Sequence, residues 1–186
     1  MTRLLNVGGL TRDAILTRAP RRTAERHILG AVKEYSQWAM RDSAMRNTYD
    51  NLHIFDLIAC DKNTPSYVAE QRMIRKLHKL HRRWEEAMLD HDATGLVAAP
   101  EDLPTLYGVI ASHTVMAFVS YVLPTSSNPR GSLRTVAIFD FGGDEGFDVW
   151  NSFAIAIFVI HCRNRMQDFK EFLPEPVLIH QRDPDL

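Results

Sequence analysis

Between positions 72 and 83 the chain carries Arg72, Arg75, Lys76, Lys79, Arg82 and Arg83 without a single acid, and with His78 and His81 among them. At helical spacing these cations fall in one stripe beside an apolar face. Such a stripe neutralises the phosphates of a nucleic acid or meets an acidic patch on a protein partner. The plainer alternative is a solvated helix face whose long stems cover apolar surface. The interleaved aromatics of single-strand binders are lacking. A second constellation has the opposite sign: Asp140, Asp144, Glu145 and Asp148, set among Gly142, Gly143 and Gly146. Carboxylates so placed can hold Mg²⁺ or Ca²⁺ through oxygen ligands. Their spacing departs from the calcium-loop pattern, and two of the four are explained more simply by helix capping and the helix dipole.

Other reactive residue types form no complete motif. Eight histidines are present, but no H-E-x-x-H, and Cys60 and Cys162 lie too far apart for a zinc ribbon. His91-Asp92 matches the central pair of the metal-dependent phosphohydrolases, whose folds are all-helical. His161 sits in an apolar run and reads as a core histidine. Ser112 and His113 are sequence neighbours, which does not aim a base at its nucleophile, and no G-x-S-x-G occurs. The glycine pairs match neither a P-loop nor a dinucleotide fingerprint. Cys162 reads as an inert buried thiol.

The elements that position these groups follow from periodicity. Pro20 closes a basic arm, residues 1–22. Thr23 caps a helix to about residue 47, with Ile28, Val32, Tyr35, Trp38, Ala39 and Met45 on one face. Residues 51–60 are apolar but too short to separate a strand from a helical turn. Thr64-Pro65 starts a second helix running to about Asp92, with Val68, Ile74, Leu77, Leu80, Trp84 and Met88 inward. Here Arg75, Lys79 and Arg82 are expected in solvent and Trp84 buried opposite them. Gly95 follows the end of that helix.

Residues 106–110, 114–123 and 133–139 suit strands, with a tight turn at Ala111-Ser112-His113, and together read as an antiparallel meander. Asp144 caps a helix to about Phe169, apolar on nearly every side, so Val149, Phe153, Ile157 and Ile160 are expected in the core. Val177 to His180 forms a last short strand, and 181–186 a polar tail. The fold class is α+β: two N-terminal amphipathic helices, a three-stranded antiparallel meander and one buried C-terminal helix, in a single domain over 23–180.

With 186 residues, 45% hydrophobic and 24% charged, the chain can bury a core, and a net charge of −1 argues against a globally basic nucleic-acid binder. Two cysteines exclude a disulfide scaffold. No secretory signal is evident, and the apolar run 149–160 is too short to span a membrane. The expected location is therefore intracellular, cytoplasmic or nuclear. An Arg-rich first 26 residues, with six arginines against Asp13 and Glu25, also suits a mitochondrial presequence, although serine is absent and Gly8-Gly9 interrupts the helical pattern.

The stretch Leu106-Tyr-Gly-Val-Ile-Ala-Ser-His-Thr-Val-Met-Ala-Phe-Val-Ser-Tyr121, followed by Leu133-Arg-Thr-Val-Ala-Ile-Phe-Asp-Phe141 and a helix, resembles the later part of the PD-(D/E)XK nuclease-like domains of fungal proteins. The resemblance covers about residues 105–165 and implies an αβββαβ core from residue 66. It would also imply Mg²⁺ held by an Asp and a (Asp/Glu)-x-Lys on adjacent strands. The one such triplet here is Asp168-Phe169-Lys170 at a helix end, and no lysine follows Asp140. Two functions follow. The first is a binding domain without a reaction or cofactor of its own, using the 72–83 stripe toward protein or nucleic acid; its opposite charge clusters also suit self-association. The second is a divergent Mg²⁺-dependent nuclease using Asp140, Asp144, Glu145 or Asp148. Convergence of three carboxylates in one pocket would favour the second.

Overall fold

The computed structural model describes residues 2–18, 20–43, 52–94, 103–126, 128, 129 and 131–170. The last residues of the first expected helix, Gly95, the side chains of His91 and Asp92, the last short strand and the tail lie outside them.

Thr23 is extended and its carbonyl accepts the Arg26 and His27 N–H groups, so helix α3 runs Ala24–Asp42. Its buried face is Ile28, Ala31, Val32, Tyr35 and Ala39; Trp38 lies at the margin, stacked on Tyr35. Pro65 similarly starts α4, Ser66–Thr94, by accepting from Val68 and Ala69. The centre of its inward face is Ala69, Met73, Leu77, Leu80, Trp84 and Met88, at steps of four and three; Val68 and Ile74 are half-buried flanks. The sequence separated by α4 forms two parallel strands, β1 (Phe55–Cys60) and β2 (Tyr107–Ser112), the connection that parallel pairing requires. Gly108 on β2 lets α4 approach closely, since a Cβ there would meet Met73 Sδ at 2.6 Å.

Strands β3 (Val115–Val122) and β4 (Ser132–Asp140) complete a four-stranded sheet in the order β1-β2-β3-β4, antiparallel after β2. The expected meander is thus present, but β1 beside it makes the sheet mixed. The β2–β3 turn is His113-Thr114, with His113 at φ 52°; Ala111 and Ser112, expected in the turn, are the last residues of β2.

The C-terminal helix α5, Asp148–Asp168, crosses the sheet face opposite α4 and packs on α3. Phe158 stacks on Phe118 and meets Phe55 and Tyr107 edge-on. Here one expectation is overturned. The buried face is Ser152, Ile155, Phe158, Val159, Cys162 and Met166, whereas Val149, Phe153 and Ile157 are exposed (Ile157 70%) and Ile160 is only half-buried. A helix apolar all round carries no phase from which its buried side can be read, and α3 and the sheet cover one side only.

Residues 1–22, read from sequence as a basic arm, contain α1 (Thr2–Leu5) and α2 (Val7–Leu16). Both enter the core: Leu4, Val7, Thr11 and Ala14 are buried, and Ser152 Oγ donates to the Leu4 carbonyl at 2.8 Å. The protein is an α+β structure of five α-helices and one mixed sheet among the described residues, and no helix is long and apolar enough to cross a membrane.

Candidate functional site

The inward row of α4 fixes what its other side presents. Met73, Leu77, Leu80 and Trp84 are fully or nearly fully buried, so the intervening cations must point outward. Arg72, Arg75, Lys76, Lys79, Arg82 and Arg83 are all exposed, as the periodicity implied. Eleven residues of helix rise spread them over roughly 17 Å. Their engagement differs. Lys76 Nζ donates to Asp56 Oδ1 at 2.8 Å and to the Leu57 carbonyl at 3.1 Å, tying α4 to β1. Arg82 pairs loosely with Glu86 at 3.8 Å, and Arg75 Nε donates to its own helix at Gln71. Arg72 lies against Cys60, where its charge and hydrogen bond partly offset the effect of burial, which pushes that thiol up. Lys79 and Arg83 enter no ion pair among the described residues.

Along one flank of this face His78 Nδ1 lies 3.2 Å from the Tyr121 hydroxyl, and His81 pairs with Glu85 at 3.5 Å. His53, behind the stripe, is held from protonation mainly by burial, with Arg83 and Lys76 adding to that and Asp56 opposing it. Its carbonyl accepts the Trp84 indole N–H at 3.0 Å, so the tryptophan that anchors the basic helix is itself satisfied.

The acidic residues do not come together. Asp140 Oδ1 accepts from Thr114 Oγ1 and Gly142 N, each at 2.8 Å, closing the end of β4 onto the β2–β3 turn. Asp144 accepts from Gly146 N and caps a 3-10 turn, Glu145–Phe147, so the cap expected on α5 is displaced one turn upstream, and α5 itself starts after Phe147 without a side-chain cap. Asp148 is occupied by Arg12 from α2, which donates to both its oxygens at 3.1 and 2.7 Å and also to the Phe141 carbonyl. Arg12 Nε reaches the exposed Glu145 at 3.5 Å. The hydrogen bond to Asp148 holds the Arg12 guanidinium above its ordinary proton affinity against the effect of burial. Among the described residues no three of His, Cys, Asp or Glu are placed to share a metal ion. Arg12 is the residue of this cluster that sequence reasoning missed: it lies 136 positions from Asp148, and no local pattern links them.

Two further expectations resolve differently. His161 is exposed, not in the core, with Nε2 at 3.3 Å from the Tyr107 hydroxyl. Cys162 is buried, and burial pushes its thiol up strongly, against formation of the thiolate. Asp168, within the Asp-x-Lys triplet, pairs with Arg165 at 2.9 Å on the end of α5.

The chain matches no family model, and no curated protein or solved structure was found to be similar to it.

Proposed function

We propose that this protein is a binding domain without a reaction of its own, and that the outer face of α4 receives an acidic protein surface or a nucleic acid. The observation that carries this reading is the exposure of all six cations on one well-anchored helix face, with Lys79 and Arg83 in no ion pair among the described residues. A helix already folded loses little backbone freedom when a polyanion docks, and counterion release then drives association. The test is retention on heparin and affinity for nucleic-acid oligomers across a salt series. Replacing Arg75, Lys79 and Arg82 with serine is expected to reduce the dependence of log K on log salt by about 2–3, near one for each lost phosphate contact. Stability should change by less than about 0.5 kcal/mol, because all three are surface residues. Retention equal to that of the native protein would reject the α4 interface.

A second reading, self-association, is favoured by the outer stripe of α5. Trp150 and Ile157 are each 70% exposed and Phe153 52%, one and two turns apart, which is costly in water for an isolated chain. A second copy of the chain would cover this stripe symmetrically. Sedimentation equilibrium is expected to give a concentration-dependent dimer that Trp150→Ser with Ile157→Ser converts to monomer. A native protein that stays monomeric at every concentration would remove this reading and leave the α4 proposal standing.

A further inference from the structure

Folding the first 22 residues onto α3 gathers a second set of cations on the side of the sheet opposite the α4 face. Arg26, Gly30 and Lys33 follow one another along α3 at steps of four and three, forming a floor. Arg21 and Arg22 rise from the connector between α2 and α3, and Arg3 crosses from α1. Together they line an open cleft of about 650 Å³, in which Glu34 is the one acid. Glu34 is engaged already, holding Arg3 Nη1 at 3.3 Å. Gly30 makes room for that arm, since a Cβ there would stand 2.8 Å from Arg3 Nη2.

Among the described residues Arg21, Arg22, Arg26 and Lys33 are exposed and enter no ion pair. Like charges gathered without counter-charge repel, and stability gives no reason to converge them. Nearby on α3, His27 Nδ1 is buried with no hydrogen-bond partner among the described residues; burial first, then Arg3 and Arg22, lower the proton affinity of the ring, opposed by a backbone hydrogen bond at Arg22.

The geometry points to a binding site for a compact polyphosphate: a small molecule bearing several phosphate groups in a chain or on adjacent positions. Arginine forks grip phosphate oxygens two at a time, and several forks around one cleft select clustered phosphates over a single one. The cleft offers no aromatic ring to stack on a base, so recognition ends at the phosphates. A free polyphosphate chain and the triphosphate of a nucleotide share that chemistry.

Isothermal titration calorimetry of the full chain at low salt, without divalent cations, tests this with three probes. Tripolyphosphate and ATP are expected to bind one site with similar affinity, and orthophosphate at least about tenfold more weakly. Arg22→Ser with Arg26→Ser, both exposed, is expected to weaken tripolyphosphate about tenfold or more. The α4 variant Arg75→Ser, Lys79→Ser, Arg82→Ser is expected to bind it like the native protein, which separates this site from the α4 interface. ATP binding without tripolyphosphate binding would overturn the proposal in favour of base recognition. It is equally overturned by an absence of tripolyphosphate binding, by full binding in the Arg22/Arg26 variant with its native circular dichroism spectrum, or by binding confined to long nucleic acids.

Discussion

Phe158→Ala is expected to cost about 3–5 kcal/mol in urea denaturation, the range for removing a large aromatic from a core. Phe153→Ala, five residues earlier on the same helix, should cost less than about 1 kcal/mol. The two differ by about 140° around the helix axis. Phe158 stacks on Phe118 at 4.0 Å between ring centroids and meets Phe55 and Tyr107 edge-on, so it joins α5 to three strands at once. Truncation opens a void between rings that are themselves fixed by the sheet and cannot collapse inward. Phe153 is 52% exposed, and its one aromatic neighbour among the described residues is the solvent-facing Trp150. Equal losses for the two variants would mean that α5 is turned about its axis relative to the sheet.

That contrast marks where the sequence stops being informative. On α4 the alternation of apolar and cationic residues has a clear phase, so the exposure of Arg75, Lys79 and Arg82 and the burial of Trp84 follow from spacing alone. On α5, Val149, Trp150, Phe153, Ile155, Ile157, Phe158 and Val159 are all apolar, and only the placement of α3 and the sheet decides which are covered. Strand β1 was ambiguous for another reason: six residues gain their ladder from β2, whose register partner for Phe55 is Tyr107, fifty-two positions onward. The helices of the first 16 residues were hidden because Val7, Thr11 and Ala14 are few among polar residues and glycines, and their burial depends on packing against α3 and α5. Within the candidate sites the same division holds. That Asp144 caps is a local matter of a carboxylate two residues before Gly146, and it was legible; that it caps a 3-10 turn in place of α5 was not. The convergence of Arg3, Arg21, Arg22 and Arg26 with Lys33 requires α1 to fold back over α3, and nothing local announces it.

Arg12→Ala is expected to lower stability by about 3 kcal/mol, near the lower end of the range for stripping one partner from a buried ion pair. The side chains of Arg12 and Asp148 retain only 17% and 15% exposure, so little water can replace the lost guanidinium. The deletion also leaves the Phe141 carbonyl without its donor and frees α2 from the start of α5. A double-mutant cycle isolates the contact: Arg12→Ala and Asp148→Asn together should cost little more than Arg12→Ala alone, because the second change removes the carboxylate that the first left unpaired. Gly8→Ala provides an orthogonal check. Its added methyl would collide with the Asp148 carboxylate, displacing the same pair without altering any charge. Gly8→Ala should therefore be destabilising in the native background and milder once Asp148 is shortened to alanine. Additive losses for Arg12→Ala and Asp148→Asn, or a neutral Gly8→Ala, would show that α2 is not pinned to α5 by this pair.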